Sequence, residues 1–162
     1  MAQVERIIDA PIDRVWEVLA DGWNYANWVV GAAHIRDVDP QWPAVGSRLH
    51  HASGFWPMLI SDRTEVQQVE EPHLLVMKPR LWPLGRGVVT LRMWPVGPDR
   101  TRVVLGEKFD RGPLRWALVK VNDLLLHRRN VEALRRLSDL AMHRDGLPDQ
   151  RGAQQRSQPG RD

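Results

Sequence analysis

Few side chains in this sequence stand where they could do acid–base chemistry, and Glu107 is the first of them. Along Thr101, Val103, Leu105, Glu107 and Phe109 every second residue is apolar or small except the carboxylate, and alternate residues of a strand share one face. A carboxyl group desolvated on such a face holds its proton more tightly and can act as a general acid or base. The opposing expectation is that a bulge or the strand's end turns Glu107 to solvent, or that an arginine pairs with it. Asp62 carries the same ambiguity within Met58, Ile60, Asp62, Thr64 and Val66, although its neighbours Arg63 and Glu65 favour an exposed ladder. Asn130 lies one helical turn from Leu126 and Leu134, on a face that otherwise reads as core. Its amide could hold a ligand carbonyl, or it could tie the helix to a strand backbone. His127 beside it reads as surface.

Other chemistries are excluded by composition. With no Cys there is no disulfide framework, thiolate nucleophile, Cys-bound zinc or iron–sulfur cluster. The six His show no metal-ligand spacing: His50 and His51 are adjacent and point to opposite faces of a strand. No metal is expected, and His34 and His51 remain candidate ring donors to a cavity. No base partner marks a Ser, Thr or Lys nucleophile, and no G-x-G-x-x-G follows a strand, so no cofactor is expected either. The net charge of +3 arises from 23 Lys+Arg against 20 Asp+Glu; it demands no nucleic-acid partner. Arg128, Arg129, Arg135 and Arg136 share their face with Glu132 and Asp139 and read as a solvated helix surface. More unusual are 8 Trp against 1 Tyr and 2 Phe, flat apolar surface that must be buried or offered to a ligand. Trp28, Trp56, Met58, Trp82 and Met93, with Leu105 and Leu126, are the candidate lining of a ligand site. Trp56-Pro57 and Trp82-Pro83 stand out because they fall in loop-like stretches.

The elements that must position these residues can be read along the chain. At 162 residues, 43% of them apolar, the chain suits one domain with a sizeable core. Val4 to Asp9 reads as a strand, and Ala10-Pro11 ends it and opens a helix. Ile12, Val15, Trp16 and Leu19 give that helix an apolar stripe. A short second helix is expected over 23–28, where the aromatic residues could close over an apolar opening. Period-two runs then predict six antiparallel strands near 32–38, 47–53, 58–70, 73–80, 87–96 and 100–109. The turns between them are too short for a parallel crossover. Gly112-Pro113 opens a helix of about 30 residues, roughly 45 Å long at 1.5 Å per residue, longer than a compact domain needs unless a sheet curls around it. Its first half, through Leu124, Leu125 and Leu126, is apolar nearly all round and predicts deep cover; the apolar set narrows later to Val131, Ala133, Leu134, Leu137, Leu140 and Ala141. Residues 1–143 read as the folded domain and 144–162 as a disordered tail with little to bury. No apolar run approaches the roughly 20 residues of a membrane helix. Glu5 and Asp9 interrupt any leader pattern, so a cytoplasmic location is expected.

Several short motifs occur in a telling order. Ile8-Asp9-Ala10-Pro11-Ile12-Asp13-Arg14-Val15-Trp16-Glu17-Val18-Leu19 is followed by Tyr25-Ala26-Asn27-Trp28 and then Val45-Gly46. Glu70-Glu71-Pro72-His73-Leu74 and Arg129-Asn130-Val131-Glu132-Ala133-Leu134-Arg135-Arg136-Leu137 complete the set. Over roughly residues 3–142 this resembles the SRPBCC superfamily, also called START-like, and its polyketide cyclase/dehydrase-like branch. The resemblance implies an α+β helix-grip fold: a curved antiparallel sheet of about seven strands around a long C-terminal helix, with two short helices after the first strand. It also implies an apolar cavity between sheet and helix that takes a small hydrophobic partner such as a polyketide, lipid or aromatic metabolite. In a cyclase or dehydrase-type enzyme Glu107 would exchange a proton and Asn130 would hold a carbonyl; a carrier would only bind. The alternative is a protein-interaction module of the same fold, chaperone-activator-like or toxin-like, with a filled cavity and an outward apolar patch around Trp56 and Trp82.

Overall fold

The computed structural model describes residues 2–55, 58–81, 85–111 and 119–143. β1 (Ala2–Ile8) is followed by α1 (Ile12–Ala20), a 3-10 turn (Gly22–Asn24) and α2 (Tyr25–Trp28). Then come β2 (Ala32–Val38), β3 (Arg48–Phe55), β4 (Met58–Glu70), β5 (Leu74–Leu81), β6 (Gly85–Gly97), β7 (Arg100–Arg111) and α3 (Val119–His143). All six strands expected after α2 are present, each end within two residues of the expected bounds. They form an antiparallel meander, and β1 joins its far edge by pairing with β7, which gives the order β1-β7-β6-β5-β4-β3-β2. This is the helix-grip architecture that the sequence pattern and the family resemblance led us to expect.

The chain leaves β1 at one edge of the sheet and must reach β2 at the other. α1 and α2 make that traverse, packing on α3 as they go. Pro11 presets the first turn of α1, and Val15, Trp16, Val18 and Leu19 form its buried face. Two contacts fix where α1 stops: Trp42 Nε1 donates to the Leu19 carbonyl at 3.2 Å, and Gly22 leaves no room for a side chain. A Cβ at Gly22 would lie 2.6 Å from Val38 Cγ1. The expected second helix is in part this 3-10 turn, because Asp21 accepts from the Trp23 amide at 3.2 Å and from Asn24 Nδ2 at 3.0 Å. Gly46, at φ +84°, makes the bend that lets its amide reach the Val66 carbonyl at 2.9 Å and start the β3–β4 pairing.

Register shifts interrupt β2, β4 and β6; extra residues of this kind bend strands and raise their twist, as a sheet wrapping a helix requires. α3 lies along β1, α1 and α2 and touches β7, burying Ala133, Leu134, Leu137 and Ala141. The expectation of all-round cover in its first half is corrected at Leu124, which is 58% exposed. Leu124 stands two residues, about 200° of helix, from Leu126, so only one of the two can face the sheet. Val131, seven residues on, continues the same outward stripe and is also exposed. The start of the helix expected at 113 lies outside the described residues, as does the tail 144–162. Among the described residues no helix is long and apolar enough to cross a membrane.

Candidate functional site

The inner face of the sheet has two zones. Strand alternation buries Leu75 and Met77 on β5, Leu91 and Met93 on β6, and Val103 and Leu105 on β7. These join Ile8, Val15, Trp16, Leu134 and Leu137 in one apolar core. Toward the β3–β4 turn and the C-terminal end of β7 the same face turns polar: His51, Asp62, Thr64 and Glu107 are all buried. His51 stands opposite Asp62, Leu49 opposite Thr64 and Val89 opposite Glu107. Tyr25 of α2 and Arg129 and Asn130 of α3 meet this polar zone from the helix side.

Glu107 faces inward, as the alternation predicted, with a side chain only 1% exposed. A carboxylate there needs compensation, because an unpaired buried charge is among the costliest groups a fold can carry. Arg129 supplies it: one Nη2 donates to both carboxylate oxygens. Asn130 Nδ2 donates to Glu107 Oε2 at 3.2 Å. Asn130 is buried, as its helical phase required, and it ties α3 to β7 through a side chain, not through a strand backbone. Arg129 is the residue that sequence reasoning misplaced. It was grouped with the solvated arginines, yet its side chain is 31% exposed and reaches over the edge of the helix to the buried acid. The rest of that group is solvated as expected: Arg135 pairs with Glu132 and Asp139, and Arg136 with Glu132. Hydrogen bonds from Arg135 and Arg136 hold the Glu132 carboxyl down at about 2.

A second cluster is neutral. Tyr25 OH and Thr64 Oγ1 share a hydrogen bond of 3.2 Å, and Thr64 Oγ1 and His51 Nε2 one of 3.1 Å. The Tyr25 and His51 rings lie 5.5 Å apart, tilted by 33°. Burial pushes the Tyr25 phenol up to about 12. It pulls His51 down to about 4, helped by the neighbouring His50. Both groups are therefore uncharged near neutrality. A neutral imidazole has one N–H and one lone pair, so the chain Tyr25–Thr64–His51 can run its donors in either direction. The two clusters sense each other: Arg129, Glu107 and Asp62 all act on the Tyr25 phenol through their charges. Asp62, for which neighbours suggested an exposed ladder, is buried on the inner face. Tyr25 was missed because a four-residue helix gives no usable periodicity; its being the sole Tyr was the available signal.

Of the remaining candidates, Trp28, Met93 and Leu105 are buried in the apolar core, and Leu126 is buried one turn before Asn130. Trp28 packs edge-on against Tyr25 at 5.5 Å. His34 is a correction: it is exposed on β2. Ile35 takes the inward position beside it, and a register shift adjoins the pair. Met58 opens β4, its side chain outside what the structure describes, and Trp56 and Trp82 lie outside the described residues. Among the described residues no three His, Asp or Glu side chains converge as metal ligands.

The fold is shared with solved structures at low sequence identity. The chain is similar to the Zhui aromatase/cyclase from Streptomyces sp. R1128, with a TM-score of 0.70 and 17% identity over 88% of this chain and 93% of that one. Protein NE0264 from Nitrosomonas europaea gives 0.68 and 14% over 90% and 96%. Protein MLL2253 from Mesorhizobium loti gives 0.67 and 22% over 90% and 98%. No curated protein matches the chain significantly in sequence. The profile described as polyketide cyclase / dehydrase and lipid transport matches residues 2–141. With that match over nearly its whole length, the chain belongs to the polyketide cyclase / dehydrase and lipid transport family.

Proposed function

We propose that the protein binds a hydrophobic molecule bearing a carbonyl or hydroxyl group, a polyketide, lipid or aromatic metabolite, between the inner sheet face and α3. We infer further that it handles this ligand by acid–base chemistry of the cyclase/dehydrase kind. The family and fold support a hydrophobic ligand. The observation that carries the finer reading is the neutral Tyr25–Thr64–His51 chain, buried beside a compensated ion pair and the carboxyl group of Asp62. Packing alone gives no reason to bury three hydrogen-bonding side chains in a row.

Ring closure on a carbonyl compound needs a proton removed from carbon and a donor at the oxygen where charge develops. Tyr25, pushed up to about 12, keeps its proton and suits the donor role. His51, neutral down to about 4, carries a ring-nitrogen lone pair as well as an N–H and suits the acceptor role. Thr64 passes a proton between them by accepting one as it donates its own. Glu107, whose oxygens are taken up by Arg129 and Asn130, serves in this reading to hold α3 in register and to set the local field. It is no longer the group asked to exchange a proton.

The test compares ligands by quenching of tryptophan fluorescence. Tyr25→Phe should weaken a ring-bearing ketone by about tenfold, the value of one hydrogen bond, and leave the hydrocarbon of the same shape unchanged. Parallel loss for both ligands would sink the donor role. Incubation with a linear poly-β-ketone then separates enzyme from carrier. Cyclised, dehydrated product that disappears in His51→Gln supports turnover, whereas unchanged ketone recovered from the native protein leaves binding alone.

A further inference from the structure

The outer face of the sheet holds a cleft of about 480 Å³ lined by Arg36, His50, Ser61, Arg63 and Arg80. His51 and Asp62 also border it, but both are buried and strand alternation turns their side chains to the inner face. Three arginines come from three strands, Arg36 from β2, Arg63 from β4 and Arg80 from β5. The imidazole of His50 on β3 stands opposite Arg63, and Arg63 and Arg80 flank the Thr64–Pro79 pair. Arg36 reaches in from β2, its Nη1 donating to Ser61 Oγ at 2.8 Å. A smaller adjoining cleft of about 160 Å³ shares Arg63 and Arg80 and adds Lys78, with the carboxylate Glu65 opposite it, and Gln67.

Like charges directly across a sheet repel, and several other arginines of this chain pair with acids, although among the described residues Arg6, Arg92 and Arg128 do not. Arg14 meets Glu17, Arg48 meets Glu65, Arg100 meets Asp9 and Arg102 meets Glu5. Among the described residues Arg36, Arg63 and Arg80 have no acidic partner within 4.0 Å. Glu65, the acid nearest in sequence, is occupied by Arg48 at 3.1 Å and Gln67 at 3.0 Å. The cost of holding these guanidinium groups side by side is recovered if an anion sits between them. Opposed residues on adjacent strands have Cβ atoms about 5 Å apart, so the long side chains of Arg63 and Arg80 can reach one phosphoryl group together and grip its oxygens in pairs. Two adjoining clefts that share the central pair of arginines provide for two such groups in a row.

We propose that this outer cleft is a binding site for a phosphoryl-bearing anion, best a diphosphate, separate from the interior ligand site. The anion could be free in solution or the headgroup of an anionic lipid, and the experiment distinguishes the two.

Inorganic diphosphate is titrated calorimetrically into the full chain at about 10 mM salt, where charges are felt over ~30 Å. Binding should saturate at one diphosphate per chain, more tightly than orthophosphate. Replacing both arginines, Arg63→Gln with Arg80→Gln, should weaken it at least tenfold, whereas Arg92→Gln on the same sheet should leave it unchanged. Without ligand the double variant should melt no lower than the parent, because it loses repulsion and no partner. Sedimentation with phosphatidic acid vesicles, against phosphatidylcholine alone, forms the second arm. Vesicle binding lost in the double variant, with weak diphosphate binding, assigns the lipid source; tight diphosphate binding without vesicle binding assigns the free anion. Hydrogen exchange on the unmodified chain needs no variant to fold, and diphosphate should protect amides around residues 61–63 and 80–81. The proposal is overturned if neither probe binds, if the double variant binds like the parent, or if protection falls only elsewhere.

Discussion

The two polar clusters under α3 are neighbours, yet they solve the problem of burial in opposite ways. Glu107 sits in a buried ion pair with Arg129 and accepts a hydrogen bond from Asn130. Tyr25 and His51 are uncharged, the phenol holding its proton and the imidazole refusing a second one because it is buried, and they share Thr64 between them. A buried charge with its partner is a commitment, because removing either member strands the other. A neutral chain is permissive: its donors can reverse, and losing one link leaves groups that can turn to another partner. In the function proposed above, the ionic cluster therefore serves positioning and the neutral one chemistry.

The largest expected effect breaks the first cluster. Arg129→Met leaves the Glu107 carboxylate buried without its cation and should cost about 3 kcal/mol, the low end for a broken buried pair because Arg129 retains some contact with solvent. Adding Glu107→Gln to that variant should restore most of the loss in urea melts; if it restores none, the two residues are not coupled.

Acid probes the second cluster. Burial pulls His51 down to about 4 in the fold from the usual 6.5, so below pH 6.5 the unfolded chain takes up a proton that the folded chain refuses. Stability should fall as the pH drops from 6.5 towards 4 and then cease to fall on this account, by roughly 3 kcal/mol in all at about 1.4 kcal/mol per pKa unit. In His51→Gln the dependence over that window should flatten, which denaturation series at stepped pH would register. A smaller loss, about 1 kcal/mol, is expected of Tyr25→Phe, since Thr64 keeps His51 as a partner. Measured stability unchanged by that substitution would mean that the Tyr25 hydroxyl is as well satisfied by water as by Thr64.

The smallest effect sharpens the contrast from outside. Glu132, on the solvated face of α3, is held at about 2 by Arg135 and Arg136. Its contribution is present above the usual carboxylate range and lost as the pH falls through about 2. Glu132→Gln should leave the melting temperature at neutral pH in physiological salt where it was, because exposed ion pairs are screened. A large drop would show that α3 relies on its surface network more than on its buried side.

Much of the fold was legible because it is written in local periodicity. The strands could be placed within two residues since each alternation runs for several residues between Pro and Gly signals. The inward direction of Glu107 followed from the same alternation, and the burial of Asn130 from its helical phase. Leu124 was misjudged because an apolar residue in an apolar run shows no phase of its own. His34 and His51 could not be told apart, since register shifts in β2 decide which residues face in.

What the residue order determined by itself is which groups share a face, because the 3.6 and 2.0 periods act over a few residues. What only the tertiary structure decided is which faces meet. Arg129 covers Glu107 because α3 crosses β7 at that height, and Tyr25 joins Thr64 across 39 residues because the traverse from β1 to β2 sets α2 over β4. On the outer face, the separate strands that carry Arg36, Arg63 and Arg80 acquire a common cleft only when their register is set. Hydrogen bonds and charges act over a few ångströms in space and are indifferent to distance along the chain, so pairings of this kind exist only once the strands and helices have packed.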